Sequence, residues 1–338
     1  MRGVSIRVAV LCGLACAAVA RAAPGLDLPP TPALYSEPEL VPLPDGRRLA
    51  LYCEGEGAPT VLFEAGAGNS AVIWSKVQPA ISKSVRTCSY DRAGYGSSDL
   101  DRGPRDAEHV AADLYAALKT AGVEEPYLLV GHSLGGFFMR LFATRHREAV
   151  VGMVLVDPMI NGGHASLMAL APSYARYVTA VEAAYQRCLR PTAEGRMKPG
   201  DPIYAACGSP PMNTPQTDPK HAMAGLLEQA GMGPSSEQVE AAQTSFGDLP
   251  LIVLSRDPLL DGAAAWPQPE RDAYRTAWTE GHRAIAALST QGEEREIKGA
   301  DHGIHQTRPE AVIGAIGQLL AKAQAAPTVQ AAVAPGVE

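Results

Sequence analysis

Serine 133 stands in Gly131-His132-Ser133-Leu134-Gly135, a Gly-x-Ser-x-Gly pattern preceded by the apolar run Leu128-Leu129-Val130 and followed by an apolar helical segment from Gly136. A strand that turns sharply into a helix lifts the central hydroxyl onto an exposed corner, which suits a nucleophile. A hydroxyl attacks a carbonyl only if a base takes its proton, and that base works best when an acid orients it. Two later stretches supply those types. Ser255-Arg256-Asp257-Pro258 follows the apolar run 251–254, and Gly299-Ala300-Asp301-His302-Gly303 follows the last expected strand, at 294–297. The expectation is therefore Ser133 as nucleophile, His302 as base and Asp257 as the orienting acid, with Asp261 as its competitor. Asp301, beside the histidine, reads as a loop residue, and His305 as a pocket-lining or solvent-facing one. The developing oxyanion needs two aimed donors. The backbone N–H of Leu134 is one, and Ala67, in the Gly-rich loop 64–70, is the candidate for the other. His132, Trp74 and His305 are candidates for the substrate pocket. Asp91-Arg92 reads as a structural turn that holds its loop near the site.

These residues need a frame to bring them together. Apolar strands at 60–63, 85–90, 128–130, 150–156 and 251–254 alternate with helical periods such as Val110, Leu114 and Leu118 within 106–121. Strands apolar on both faces, separated by helices, indicate an α/β fold with a mostly parallel, doubly wound sheet. A hairpin with its turn at Asp45-Gly46 precedes them, and a helix runs through Trp74 and Val77. The pattern breaks over 161–247, where no strand is evident, and a segment of that length between two core strands behaves as a helical cap or lid inserted after the sixth strand. Helices over 271–288 and 309–322 and a strand over 294–297 follow, then a disordered tail over 323–338.

The N-terminus carries Arg2 and Arg7, an apolar stretch over 8–20 too short to span a bilayer comfortably, and Ala20-Arg21-Ala22, a small-x-small cleavage pattern. Residues 1–22 are expected to be a secretory signal cleaved near Ala22, which makes the mature protein exported, periplasmic in the first instance, without a stable membrane anchor. A Pro-rich lead-in occupies 23–39. The whole chain of 338 residues has a net charge of −7, and loss of the signal leaves 26 basic against 36 acidic side chains, so no basic footprint for nucleic acid exists. Cys53, Cys88, Cys188 and Cys207 remain after cleavage, and four cysteines in an oxidising compartment suggest two disulfides. No zinc-type spacing occurs, so neither a metal nor a cofactor is expected.

Taken together, the segments 61–70, 90–98, 128–136, 153–158, 251–258 and 301–310 resemble the α/β-hydrolase superfamily, in its capped serine-hydrolase branch with proline iminopeptidase-like and secreted esterase-like members. The resemblance covers 40–160 and 248–322 and leaves the cap outside. It implies the chain order Ser…Asp…His and a cleavage of a small carboxylic ester through an acyl-enzyme, with a small molecule as partner. Aminopeptidase and lactonase activities are the alternatives, and a silent binding protein on the same fold is disfavoured by the complete set of three residues. Two departures stand out: Ala65-Gly66, preceded by Glu64, replaces the family's His-Gly, and Asp257 follows Ser255 at an unusual spacing. The resemblance further implies that the second strand lies beside the fourth, which makes Cys53–Cys88 a cross-strand pair and leaves Cys188–Cys207 within the cap.

Overall fold

The computed structural model describes residues 33–196, 218–242, 245–258 and 265–325. The signal segment 1–22, Asp261 and Cys207 lie outside them, and with Cys207 the Cys188–Cys207 pair; Cys188 is itself disulfide-bonded.

Eight strands form one sheet in the order β1-β2-β4-β3-β5-β6-β7-β8. They are β1 (Glu39–Pro42), β2 (Arg48–Glu54), β3 (Thr60–Glu64), β4 (Thr87–Asp91), β5 (Tyr127–His132), β6 (Val150–Val156), β7 (Leu251–Arg256) and β8 (Gly292–Ile297). The β1–β2 and β2–β4 pairs are antiparallel, and all later pairs are parallel. Cys53 and Cys88 face each other across β2 and β4 and are joined by a disulfide.

The strand period of two sorts the core. Val61, Phe63, Leu128, Val130, Val154, Val156, Ile252 and Leu254 point to one face, where Val312, Ile316 and Leu319 of the last helix cover them. Their neighbours Leu62, Leu129, Met153, Leu155, Leu251 and Val253 point to the other face, against Leu114, Leu118, Met139 and Phe142. Each large side chain so buried contributes about 1.5–3 kcal/mol, which is why the central strands are apolar throughout instead of alternating.

The helices are α1 (Gln78–Ile81), α2 (Ala107–Thr120), α3 (Gly135–Arg145), α4 (Gly163–Leu170), α5 (Pro172–Ala193), α6 (Pro219–Ala242), α7 (Gln268–Ala286), α8 (Ile304–Thr307) and α9 (Pro309–Ala325). Asp106 caps α2 by accepting the His109 N–H at 3.1 Å. Three expectations need correction. The helix through Trp74 and Val77 is instead a 3₁₀ turn (Ala71–Trp74) followed by α1, because Pro79 fits the first turn of a helix but not its interior. Residues 323–325 belong to α9 rather than to a tail, as alanine carries no helix penalty. The end of the lead-in is structured too: Tyr35 is buried, donates to Gln78 Oε1 at 2.9 Å and packs on the Tyr52 ring. Between β6 and β7 the described residues form α4, α5 and α6, as the loss of strand pattern over 161–247 led us to expect.

Candidate active site

Ser133 directly follows β5 in a left-handed conformation, φ +52°. That turn is tight: a Cβ at Gly131 would lie 2.7 Å from the Gly135 carbonyl oxygen, so the first glycine of the motif leaves room for the helix start. Asp157, directly after β6, has φ +45°, and these are the only two non-glycine residues with positive φ among those described. Backbone held in that region costs about 1–3 kcal/mol and persists only where the surroundings impose it.

The two strained residues meet at one imidazole. His302 Nε2 stands 3.0 Å from Ser133 Oγ, and its Nδ1 stands 2.5 Å from Asp157 Oδ2. An ionised carboxylate only accepts, so Nδ1 carries the proton and Nε2 is left to accept from the serine hydroxyl. Asp157 is fully buried. Burial pushes its pKa up, but the hydrogen bond from His302, with the charges of His302 and Arg256, outweighs this and holds it below the usual carboxylate value. Its Oδ1 accepts the Arg256 N–H at 3.0 Å, and its own N–H donates to the Leu254 carbonyl at 2.7 Å.

The carboxylate at His302 is thus that of Asp157 and not that of Asp257, which corrects the sequence expectation. Asp257 lies beyond the end of β7, half-buried, with its backbone N–H donating to the Ala300 carbonyl at 3.1 Å. It supports the backbone of the loop that carries His302. A signal for Asp157 was present in the sequence, since Val156-Asp157-Pro158 ends an apolar strand just as Arg256-Asp257-Pro258 does.

The other candidates fall around this centre. His132 donates from Nε2 to the His302 carbonyl at 2.9 Å and so holds His302 from behind. Its Nδ1 is buried with no partner among the described residues, and burial together with repulsion from His305 and His302 pushes its pKa well below the ordinary histidine value. His305 does not face solvent: it is buried against the Trp74 and His132 rings, and burial drives its pKa down to about 3. Trp74 is likewise fully buried, so it is a wall of the core behind the site. Asp301 accepts the Gly303 N–H at 2.9 Å and shapes the loop.

The loop after β3 runs against Ser133. A Cβ at Gly66 would stand 2.6 Å from His132 Nδ1 and 3.1 Å from Ser133 Cβ, so only glycine lets the chain pass this close. The N–H groups of Ala67 and Leu134 find no acceptor among the described residues. Ser133 itself is only 8% exposed, whereas the His302 side chain is 43% exposed, so access lies on the histidine side. From the inserted helices, His164 is placed close enough to feel the charge of His302, and its Nδ1 is hydrogen-bonded to Tyr174 Oη at 2.5 Å.

A strained serine at a strand–helix corner, bonded to a histidine that is bonded to a buried aspartate, on a mostly parallel sheet, coincides with the match of a family model, that of the alpha/beta hydrolase family, to residues 61–315. The chain belongs to the alpha/beta hydrolase family. The uncharacterized protein YqjL of Bacillus subtilis is 28% identical over 282 residues, which cover 82% of this chain and 90% of that protein. Among solved structures, a thermophilic esterase from Thermogutta terrifontis superposes with a TM-score of 0.59 at 20% identity, covering 85% of this chain and 99% of the esterase. Est816, described as an N-acyl homoserine lactone degrading enzyme, gives a TM-score of 0.57 at 18% identity over 83% of this chain and 99% of its own. Similarity at these identities carries the fold. No helix among the described residues is long and apolar enough to cross a membrane.

Proposed function

We propose that this hydrolase is an exported serine esterase that cleaves small carboxylic esters through an acyl-enzyme. The observation that carries the reading is the continuous chain Ser133 Oγ, His302 Nε2, His302 Nδ1, Asp157 Oδ2, at 3.0 and 2.5 Å. His302 takes the hydroxyl proton as Ser133 Oγ forms a bond to the ester carbonyl carbon, and Asp157 stabilises the resulting imidazolium. The carbonyl oxygen, now an anion, is held by the N–H groups of Leu134 and Ala67. The C–O bond to the alcohol breaks, and His302 returns its proton to the leaving alkoxide. Water then attacks the acyl group under the same base, and the carboxylic acid leaves with Ser133 restored. The segment 161–247 serves as the cap over this site, and cleavage of residues 1–22 delivers the protein to a compartment where the Cys53–Cys88 disulfide is maintained.

A lactone is an internal ester and would follow the same steps, which keeps lactonase activity as the second reading; Est816 shares the fold. An aminopeptidase would need a free acid in the cap to bind the substrate amine. Glu228 is committed to Arg92, Tyr95 and a backbone N–H, while Glu182 and Glu194 are exposed.

The test is turnover of p-nitrophenyl esters of increasing acyl length, a homoserine lactone and proline p-nitroanilide by wild type and Ser133→Ala. Ester cleavage lost by about 10⁴-fold or more in the variant is the expected result. Undiminished cleavage by Ser133→Ala would refute the mechanism, and preference for the anilide would refute the substrate class.

A further inference from the structure

Around the site, a cluster of buried, hydrogen-bonded charges packs against the loop from which the second oxyanion donor comes. Arg92 follows β4, and its side chain is 1% exposed. Its Nη1 lies 2.6 Å from Glu64 Oε1 and donates to the Ala65 carbonyl at 2.8 Å; Nη2 donates to the Gly66 carbonyl at 2.8 Å. Glu64 is fully buried and also accepts from Tyr90 Oη. Burial pushes the Glu64 pKa up against the pull of Arg92. The remaining edge of Arg92 faces Glu228, with Nε 2.9 Å from Oε2. Glu228 belongs to α6 in the inserted segment, and its Oε1 accepts the Gly68 N–H at 2.7 Å and Tyr95 Oη at 3.0 Å.

The consequence for the loop is specific. Carbonyls 65 and 66 are bound by Arg92 and the N–H of 68 is bound by Glu228, which leaves the N–H of Ala67 between them without an acceptor among the described residues. Burying two carboxylates and a guanidinium to tie α6 down is a costly way to gain stability, because well-packed apolar groups do it as well or better. It is an effective way to fix a backbone conformation, since a bidentate guanidinium holds two carbonyls at one spacing.

We propose that Arg92 and Glu228 are positioning residues that form a latch, through which the cap holds loop 64–68 with the Ala67 N–H aimed at the oxyanion. The proposal rests on the acyl-enzyme reading above. Neither side chain touches the nucleophile or the base; both act through the loop backbone. The oxyanion site is complete only while α6 is docked, so closure of the cap and competence of the nucleophile are one event.

A merely structural cluster would move melting temperature and substrate affinity, whereas a latch moves the reaction of Ser133 itself. The readout is the rate constant for labelling of Ser133 by a fluorophosphonate. Serine Oγ bonds to phosphorus, fluoride leaves, His302 takes the proton, and the phosphoryl oxygen occupies the oxyanion site. Circular dichroism verifies folding, and kcat and KM are taken on the best p-nitrophenyl ester. In Glu228→Ala, labelling and kcat should both fall about 10²-fold, with KM within about threefold. Glu228→Gln, which keeps an acceptor for the Gly68 N–H, should recover at least about tenfold of that loss. Should the alanine variant not fold, Arg92→Lys decides on the same readouts: a point charge cannot hold both carbonyls, and at least about tenfold slower labelling is expected. Labelling at the wild-type rate in the folded variants, or a loss confined to KM, overturns the latch. Wild type that is not labelled at Ser133 overturns the acyl-enzyme reading and the latch with it.

Discussion

Strands β6 and β7 lie side by side, run parallel, and are both followed by Asp-Pro, yet only one of the two aspartates reaches the histidine. The register explains the difference. Val156 pairs with Leu254, so Asp157 sits level with Ser255 at the edge of the sheet, while Asp257 lies two residues further out, about 6–7 Å along the strand direction. At the edge, Asp157 still takes part in the ladder through its N–H to Leu254, and its carboxylate is buried between His302 and Arg256. Past the edge, Asp257 is half-exposed and meets the His302 loop through its backbone. Identical dipeptides on adjacent strands acquire different chemistry from where their strands stop.

The sharpest way to break this comparison is Asp157→Asn. An amide that donates to Nδ1 forces the other tautomer on His302, and kcat should fall about 10⁴-fold with the fold intact by circular dichroism; a fall of less than about tenfold would return the role to another acid. Next comes Gly136→Ala. A Cβ there would lie 2.6 Å from Pro158 Cβ, pushing on the residue after Asp157. Since a 1 Å misplacement costs about 10²-fold, kcat should drop by about that factor while KM changes little, and an unchanged kcat would show that the β6 end can yield.

A smaller effect, on stability, separates the two strand ends by pH. Burial lowers the pKa of His132, His164, His221, His282 and His305, and His282 holds the β6 end by donating to the Pro158 carbonyl at 2.9 Å. Their folded pKa values lie below the unfolded value of about 6.5, so below that pH the unfolded chain binds more protons and stability falls with pH, by up to about 1.4 kcal/mol per pH unit per histidine. Asp157 adds to this at lower pH: its folded pKa is depressed, so its contribution is present above the unfolded carboxylate value and is lost as pH falls through the folded one. The melting temperature should decline from pH 6.5 to 4.5, and His282→Phe should make the decline shallower; a flat profile would contradict both. The smallest effect belongs to Asp257→Asn, expected to change kcat by less than about threefold and stability by less than about 1 kcal/mol, measured beside Asp157→Asn.

Much of this was legible in residues alone. The corner at Ser133 and the histidine that meets it, His302, announce themselves, because a strand–turn–helix corner and a post-strand histidine depend on local pattern. The sheet was equally legible, since doubly buried strands must be apolar throughout. The buried role of His305 was not, because burial is a property of what packs against a ring, here Trp74 and His132, and neither is its sequence neighbour. Nor was the bond between Glu228 and Gly68, which are 160 residues apart.

The sequence by itself determined the fold class and marked Ser133 and His302, which the structure brings to 3.0 Å, together with the expectation of an acid after a later strand, since each is carried by a period or a turn a few residues long. Only the tertiary structure decided which acid. Asp157 and Asp257 satisfy the same chain order and the same local motif, and what separates them is a two-residue offset in the pairing of two strands nearly a hundred residues apart. Register is a property of strand pairs, set by side chains that interdigitate on both faces of the sheet, and it leaves no mark at the aspartates themselves.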